Sequence, residues 1–309
     1  MDIKFKVFVN CMTYNQSGYI GDAMNGFCMQ ETNFPFVCTI VDDASTDGEQ
    51  EVIKKYLQEH FDLEDSSIVR NEETDDYVMV YARHKTNLNC FFAVYYLKYN
   101  HYKKKSVMPY VQKWHEYAKY IAKCEGDDYW TEPRKLQIQY DYLESHPDIV
   151  LSCHRFSILD VTTGQNEIAP NQYFSQKEHC QEKEFEFDVN YFLNVWVTKN
   201  LTIMVRKDAI DRDYHKKYKY ARDVHFIYYV MQKGNGVCHA FNGGVYRKNV
   251  PTSIFGNLNR ADKIRINRKV YKELARVTHD PSVRKVARKY FFADWMNRVR
   301  GIGDKRNRP

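Results

Sequence analysis

Apolar and polar residues alternate at the start of the chain. Phe5, Val7 and Val9 face one way against Lys4 and Lys6, which predicts a strand over Lys4–Val9. Polar residues take over at Asn10, and Thr13-Tyr14-Asn15-Gln16-Ser17-Gly18 has loop composition. Ile20, Ala23, Met24, Phe27 and Cys28 then recur at helical spacing and predict a helix over 19–30. Pro35 breaks the chain, and Phe36–Val41 is a near-continuous apolar run of the kind that suits a parallel strand covered on both faces. That run ends in Asp42-Asp43-Ala44-Ser45-Thr46-Asp47-Gly48. A second helix follows over 49–60, with Val52, Ile53, Tyr56 and Leu57 on its inner side. The opening therefore reads strand, polar loop, helix, strand, acidic loop, helix: an α/β chain with a mostly parallel sheet flanked by helices.

Residues 62–89 are polar and irregular apart from the apolar piece Val78–Ala82, and Cys90–Leu97 reads as an apolar helix. A helix is predicted over 110–117 behind Pro109, a strand over Tyr120–Cys124, a helix over 133–146 opened by Pro133, and a strand over Ile149–Cys153. The pattern dissolves into polar residues over 160–188. Leu201–Val205 is a strand candidate, 214–220 is polar and aromatic, and 226–231 is an apolar helix. Val237–Phe241 and Gly244–Arg247 suggest a hairpin through Asn242-Gly243. From Arg260 two basic amphipathic helices meet near Pro281. We read one α/β domain over 1–250, with a first half at 1–130 and a second half at 131–250. A basic helical extension follows at 251–309.

Charge sharpens that division. From Arg260 onward sixteen basic residues face five acidic ones, +11, against +6 for the whole chain, so residues 1–259 carry about −5. A basic amphipathic tail with Phe and Trp packs as a helical cap, the commoner use, or lies on an anionic membrane. No recognised nucleic-acid-binding module supports a nucleic-acid partner. Met1–Val7 lacks the apolar core of a secretory signal, and no apolar run reaches the about 20 residues that span a bilayer. The eight cysteines are scattered and form no CxxC pair, so buried free thiols are expected rather than disulfides or a zinc site. These features point to a cytoplasmic protein, with the tail able to touch the inner face of a membrane.

The candidate chemistry lies in Cys124-Glu125-Gly126-Asp127-Asp128-Tyr129-Trp130. Three carboxylates within four residues at the end of a strand repel one another and resist burial unless a cation or a hydrogen-bond network compensates them. Mg²⁺ and Mn²⁺ prefer such oxygen ligands, often one or two carboxylates completed by substrate phosphates. An acidic first turn of a helix has the same composition. Ligands of open α/β sheets bind beyond the carboxyl ends of the strands, where 13–18 and 42–48 also sit. Ser45 and Asp47 serve equally as helix caps. Asp42 extends an apolar strand without being a cap.

Together Asn10-Cys11-Met12-Thr13-Tyr14-Asn15-Gln16, Ile40–Gly48 and Glu125–Trp130 resemble glycosyltransferase family 2, in the family's order. The resemblance implies a GT-A fold, a nucleotide diphosphate-sugar donor (with UDP the usual nucleotide), a Mn²⁺ or Mg²⁺ cofactor, and a glycan or lipid-linked acceptor. It also implies roles. Thr13, Tyr14, Asn15 and Ser45 would line the donor site. Asp42 or Asp43 would take the base. The family's D-x-D element would be Glu125-Gly126-Asp127, or Asp127-Asp128 shifted by one, with metal contact at Asp127 or Asp128. Glu125 departs from the usual Asp, though its longer arm can still reach a ribose hydroxyl. Asp223, ahead of an apolar helix, would be the catalytic base, although an Asp there is also a common helix-dipole partner. Arg222 or Arg247 would approach the diphosphate as a cation, and both serve equally as surface residues. A nucleotidyltransferase is the competing enzyme class; it normally needs a Gly-rich basic phosphate loop, whereas 13–18 has one Gly and no Lys or Arg. A non-catalytic nucleotide- or sugar-binding subunit is the competing non-enzyme.

Overall fold

The computed structural model describes residues 5–219, 221–253, 258–300 and 302. Lys4, Tyr220 and the last residues of the basic tail therefore lie outside the described residues. The chain runs β1 (Val7–Thr13), α1 (Ile20–Cys28), β2 (Phe36–Asp42), α2 (Glu49–His60), β3 (Phe61–Asp62), β4 (Arg70–Glu73), β5 (Tyr77–His84) and β6 (Cys90–Leu97). It continues through α3 (Met108–Tyr117), β7 (Tyr120–Lys123), β8 (Tyr129–Trp130), α4 (Lys135–Ser145), β9 (Ile149–Asp160), β10 (Asn166–Ile168), β11 (Glu184–Phe187) and α5 (Val189–Asn194). It ends with β12 (Met204–Arg206), α6 (Asp223–Val230), β13 (Asn235–Lys248), α7 (Arg260–Thr278) and α8 (Pro281–Val299).

All thirteen strands join one sheet with the path β11-β13-β9-β12-β7-β1-β2-β6-β5-β3. Its centre, β7-β1-β2-β6, is parallel, and antiparallel strands extend both sides. Helices cover both faces. Ile20, Met24 and Phe27 of α1, Ile53 and Leu57 of α2, and Leu136 and Leu143 of α4 pack on one face. Val111 and Trp114 of α3, Val224 and Ile227 of α6, Leu274 of α7 and Val283 of α8 pack on the other. The two-face burial explains the near-continuous apolar reading of the central strands. All eight cysteines are free, and six are buried.

The sequence pattern fails in three places, each with a physical cause. Cys90–Leu97 is a strand, not a helix. Cys90, Phe92, Val94 and Tyr96 enter one core, while Phe91, Ala93, Tyr95 and Leu97 enter the other, so no polar position marks its period. The expected hairpin through Asn242-Gly243 is one fourteen-residue strand, β13, which runs parallel to β9 with register breaks around Asn242. A Cβ on Gly243 would lie 2.8 Å from the His154 ring, so this Gly marks close packing at a bulge rather than a turn. The polar stretch 62–89 holds β4 and β5, which widen the sheet beyond β6. In addition, Val52 of α2 is exposed, and Leu201 belongs to a 3-10 turn, Asn200–Thr202, that precedes β12. β1 runs four residues past its expected end because Cys11 and Thr13 also turn inward. No helix among the described residues is long and apolar enough to cross a membrane.

Lys135, the first residue of α4, is fully buried. Its Nζ lies 3.9 Å from the centre of the Trp130 ring and has no hydrogen-bond partner among the described residues. Burial lowers its pKa from the ordinary 10.5 to about 7. Between those values the unfolded chain holds a proton that the native one lacks, so stability rises with pH across that window. Lys135→Met should therefore stabilise the protein by about 1–3 kcal/mol at pH 7, the cost of an unsatisfied buried polar group. The gain should shrink as pH approaches 10.5; denaturant unfolding at both ends of the window measures it.

Candidate active site

The site is assembled at the carboxyl edge of the parallel strands. The β1–β2 register sets Thr13 beside Asp42. The acidic turn follows β7 on the other side of β1, tied by a hydrogen bond from Gly126 N to Met12 O of 3.1 Å. Gly126 is required here: a Cβ would lie 2.3 Å from Thr13 Oγ1 and 2.7 Å from Gln16 Oε1. The loop after β1 and the acidic turn are thus in contact, and both acidic clusters foreseen from sequence converge on β1.

A residue that sequence reasoning passed over as an ordinary helix start holds this edge together. Glu49 is fully buried. Its carboxylate accepts from the Thr13 hydroxyl, from Gln16 N at 2.9 Å and from Ser45 Oγ at 2.8 Å. Burial nonetheless outweighs those bonds and raises its pKa. Around it the two loops lace together: Asn15 N donates to Ser45 Oγ (2.8 Å), Thr46 N to Asn15 Oδ1 (2.8 Å) and Ser17 N to Asp47 Oδ2 (2.9 Å). Tyr14 is left exposed. Carboxylates therefore occupy the Gln16 and Ser17 N–H groups of the loop after β1, where a phosphate-cradling loop would leave such donors free.

Asp42 and Asp43 are separated by their partners. Asp43 receives His101 N at 2.6 Å and Tyr102 N at 3.2 Å, so its carboxylate anchors the loop after β6. Asp42 is 0% exposed; one oxygen accepts from Gln50 Nε2 (2.7 Å) and Ser45 N (3.1 Å), and the other has no partner among the described residues. A cleft of about 750 Å³ opens beside Ser45 and Thr46, between α2 and β5–β6, and its walls include no residue of the acidic turn.

In the acidic turn Asp128 is buried and accepts from Arg247 N at 2.8 Å, while Asp127 is half-buried. Burial, then the charges of Asp127 and Glu125, push the Asp128 pKa well up; burial raises that of Asp127. The Glu125 carboxyl rises to about 7, by burial first and then by the charge of Asp223. Asn200 stands between those two: its Nδ2 donates to Glu125 Oε1 at 2.6 Å and to Asp223 Oδ1 at 3.3 Å. The structure thus brings the first residue of α6 to the acidic turn, and Asn200 is a site residue that no motif announced. Lys199 and Lys123 add nearby positive charge, each with a pKa lowered by burial. Arg247 is buried as a brace. Its guanidinium pairs with Asp22, donates to Asp127 O at 2.9 Å and packs against the Tyr19 and Tyr129 rings.

No group of three or more His, Cys, Asp and Glu among the described residues forms a metal cage. Asp127 and Asp128 are hard oxygen donors short of a full coordination shell, a set that fits a divalent cation completed by substrate phosphates and water.

No protein-family model matches the chain. It is 32% identical over 148 residues, 48% of its length, to uncharacterized proteins of Mycobacterium tuberculosis and Mycobacterium bovis, and the match spans 34% of their length. The chain thus spans about a third of these curated relatives. Among solved structures it is similar to TarS 1–349 of S. aureus in complex with UDP-GlcNAc, at 16% identity over 93% of this chain and 72% of that one, with a TM-score of 0.55. It is similarly close to the same protein with UDP, at 15% identity over 93% and 71%, also with a TM-score of 0.55. At such identities the likeness is one of architecture: the chain shares with TarS an α/β fold with a mostly parallel central sheet flanked by helices.

The contact at Gly126 gives a direct check. Gly126→Ala should lower stability by about 1–3 kcal/mol, the usual cost of overpacking. Gly21→Ala, where a Cβ meets nothing within 4 Å inside α1, should raise it by up to about 1 kcal/mol. Thermal unfolding of the two variants against the parent measures both.

Proposed function

We propose that the protein is a metal-dependent, inverting glycosyltransferase of family 2 with the GT-A fold. It moves a sugar from a nucleotide diphosphate-sugar, with UDP the favoured nucleotide, to a hydroxyl of a glycan or lipid-linked acceptor. One observation carries this reading: carboxylates from the end of β7 and the start of α6 meet across Asn200 at the carboxyl edge of the parallel sheet. The fold shared with TarS, which is seen with UDP-GlcNAc and UDP, supports it.

Each role follows from chemistry. The buried, unpartnered oxygen of Asp42 is suited to accept an N–H from the base. Thr13, Tyr14, Asn15 and Ser45 border that position, and Asp43 holds the loop behind it. Glu125 can reach a ribose hydroxyl. Asp127, with Asp128 beside it, would hold Mn²⁺ or Mg²⁺; when bound, the cation acts as a Lewis acid on the departing diphosphate. Arg247 supports that turn by binding its backbone. Asp223 takes the proton of the acceptor hydroxyl. Asn200 holds one carboxylate oxygen, which orients the other toward the acceptor. A base opposite the leaving group gives a single in-line displacement with inversion. The engaged loop after β1 disfavours the nucleotidyltransferase alternative.

Incubation with UDP-GlcNAc and Mn²⁺ should release UDP slowly, and faster once an acceptor is found. Asp223→Asn should leave UDP binding within a few-fold while turnover falls about 10²–10⁴-fold, the scale of a lost general base. Unchanged turnover would remove Asp223 from the mechanism. Absence of donor turnover across a panel of nucleotide sugars would favour a binding subunit instead.

A further inference from the structure

The two C-terminal helices present a surface that sugar transfer does not use. Val283 and Val286 of α8 face the core with Leu274 of α7, and Tyr290 stacks on Tyr271 with ring centres 5.1 Å apart. The only acid of α8, Asp294, is 1% exposed and turned inward, where it binds Arg268 at 2.6 Å and Arg298 at 3.2 Å. The outward face therefore carries no carboxylate from α8. It carries Phe291 (57% exposed), Phe292 (60%), Trp295 (48%) and Val299 (64%), with Ile302 just beyond the helix (50%). At 100° per residue the four residues within α8 fall on one stripe. Arg284, Lys285 and Arg288 continue the stripe toward the start of α8, and Lys289, Arg298 and Arg300 flank it; all six are exposed.

An apolar stripe of this size in contact with water calls for a partner. Its rim selects the kind. A second copy docked face to face would set the α8 cations against one another, which like-charge repulsion opposes. A surface that is apolar within and anionic at its boundary satisfies both halves: the aromatic rings enter the headgroup region and the Lys and Arg meet the lipid charges. We infer that α8 docks the protein on an anionic lipid surface through Phe291, Phe292 and Trp295, with Arg284, Lys285 and Arg288 as the electrostatic contact.

The placement of α8 gives the docking a consequence. Asp280, which caps α8, accepts from Tyr228 Oη of α6 at 2.8 Å, and Lys289 Nζ donates to Asn194 of α5 at 3.0 Å. α6 begins at Asp223, so the helix that carries the candidate base and the helix on the lipid belong to one packed unit. If the transfer reading holds, the acceptor is one presented at a membrane. The lipid contact itself does not depend on that reading.

The experiment is co-sedimentation of the full chain with vesicles of phosphatidylcholine alone and of phosphatidylcholine with phosphatidylglycerol. Binding is expected only to the anionic vesicles and should weaken as salt is raised. Arg284→Glu/Arg288→Glu should cut the vesicle partition coefficient by more than about tenfold, at roughly fivefold per removed charge. Phe291→Ser/Trp295→Ser should reduce it by a similar factor. Because these side chains are exposed, both variants should keep the parent's circular dichroism and melting temperature. Equal partition to neutral and anionic vesicles, no partition to either, or full partition by both variants would overturn the inference. So would concentration-dependent dimers in solution that the aromatic variant abolishes. UDP release by a lipid-blind variant, measured alongside, separates failure of docking from failure of the transfer reading.

Discussion

Glu125, Asp127 and Asp128 are crowded beside Asp223 at one edge of the sheet, with Asn200 bridging Glu125 and Asp223. Burial raises the pKa of each carboxyl in the turn, and for Glu125 and Asp128 neighbouring negative charges raise it further. The nearby cations compensate only in part. Arg247 gives its guanidinium to Asp22 and to a backbone carbonyl, and Lys123 turns its Nζ over the Phe226 ring at 3.7 Å. A fold retains such a cluster at a cost in stability, and clusters of this kind gather at functional sites. Under the proposed function, a divalent cation bound beyond the strand ends would supply the missing compensation.

The rest of the architecture keeps that cluster in place. Parallel β7, β1 and β2 deliver the acidic turn, Thr13 and Asp42 to one edge. Gly126 lets the turn close onto Thr13, and Glu49 binds Thr13 in turn, so one side chain on β1 links the loops after β1, β2 and β7. From the other half of the chain, β13 sends Arg247 across the back of the turn, and the short 3-10 segment before β12 sends Asn200 across its front. Trp130 fixes the far end of the turn: its indole donates to Leu201 O at 2.8 Å and its ring packs on Phe27, 4.9 Å between centres.

The sequence made the parallel centre legible because both-face burial leaves near-continuous apolar runs at 36–41 and 120–122, each soon followed by carboxylates. It did not distinguish strand from helix at Cys90–Leu97, where every residue is buried and no period survives. The Asn-Gly pair at 242–243 carried the chemistry of a turn but is used for a bulge, because β9 continues alongside and holds β13 extended. In the site, residues at strand ends were readable and residues that act across the fold were not. Glu49 looks like any acidic first turn, and Asn200 lies 75 residues from Glu125. Asp43 and Arg247 also make contacts within the protein, with the loop after β6 and with Asp22, that no local pattern reveals.

The central claim is that the crowded carboxylates await a cation shared with a nucleotide diphosphate. The most direct test is the melting temperature with Mn²⁺, with UDP and with both, for the parent and for Asp127→Asn. Ligand binding to the native state raises that temperature by mass action. The account predicts that Mn²⁺ and UDP together raise it by more than the sum of their separate shifts, and that Asp127→Asn removes the excess. Simple additivity in the parent, or an undiminished joint shift in Asp127→Asn, would contradict it.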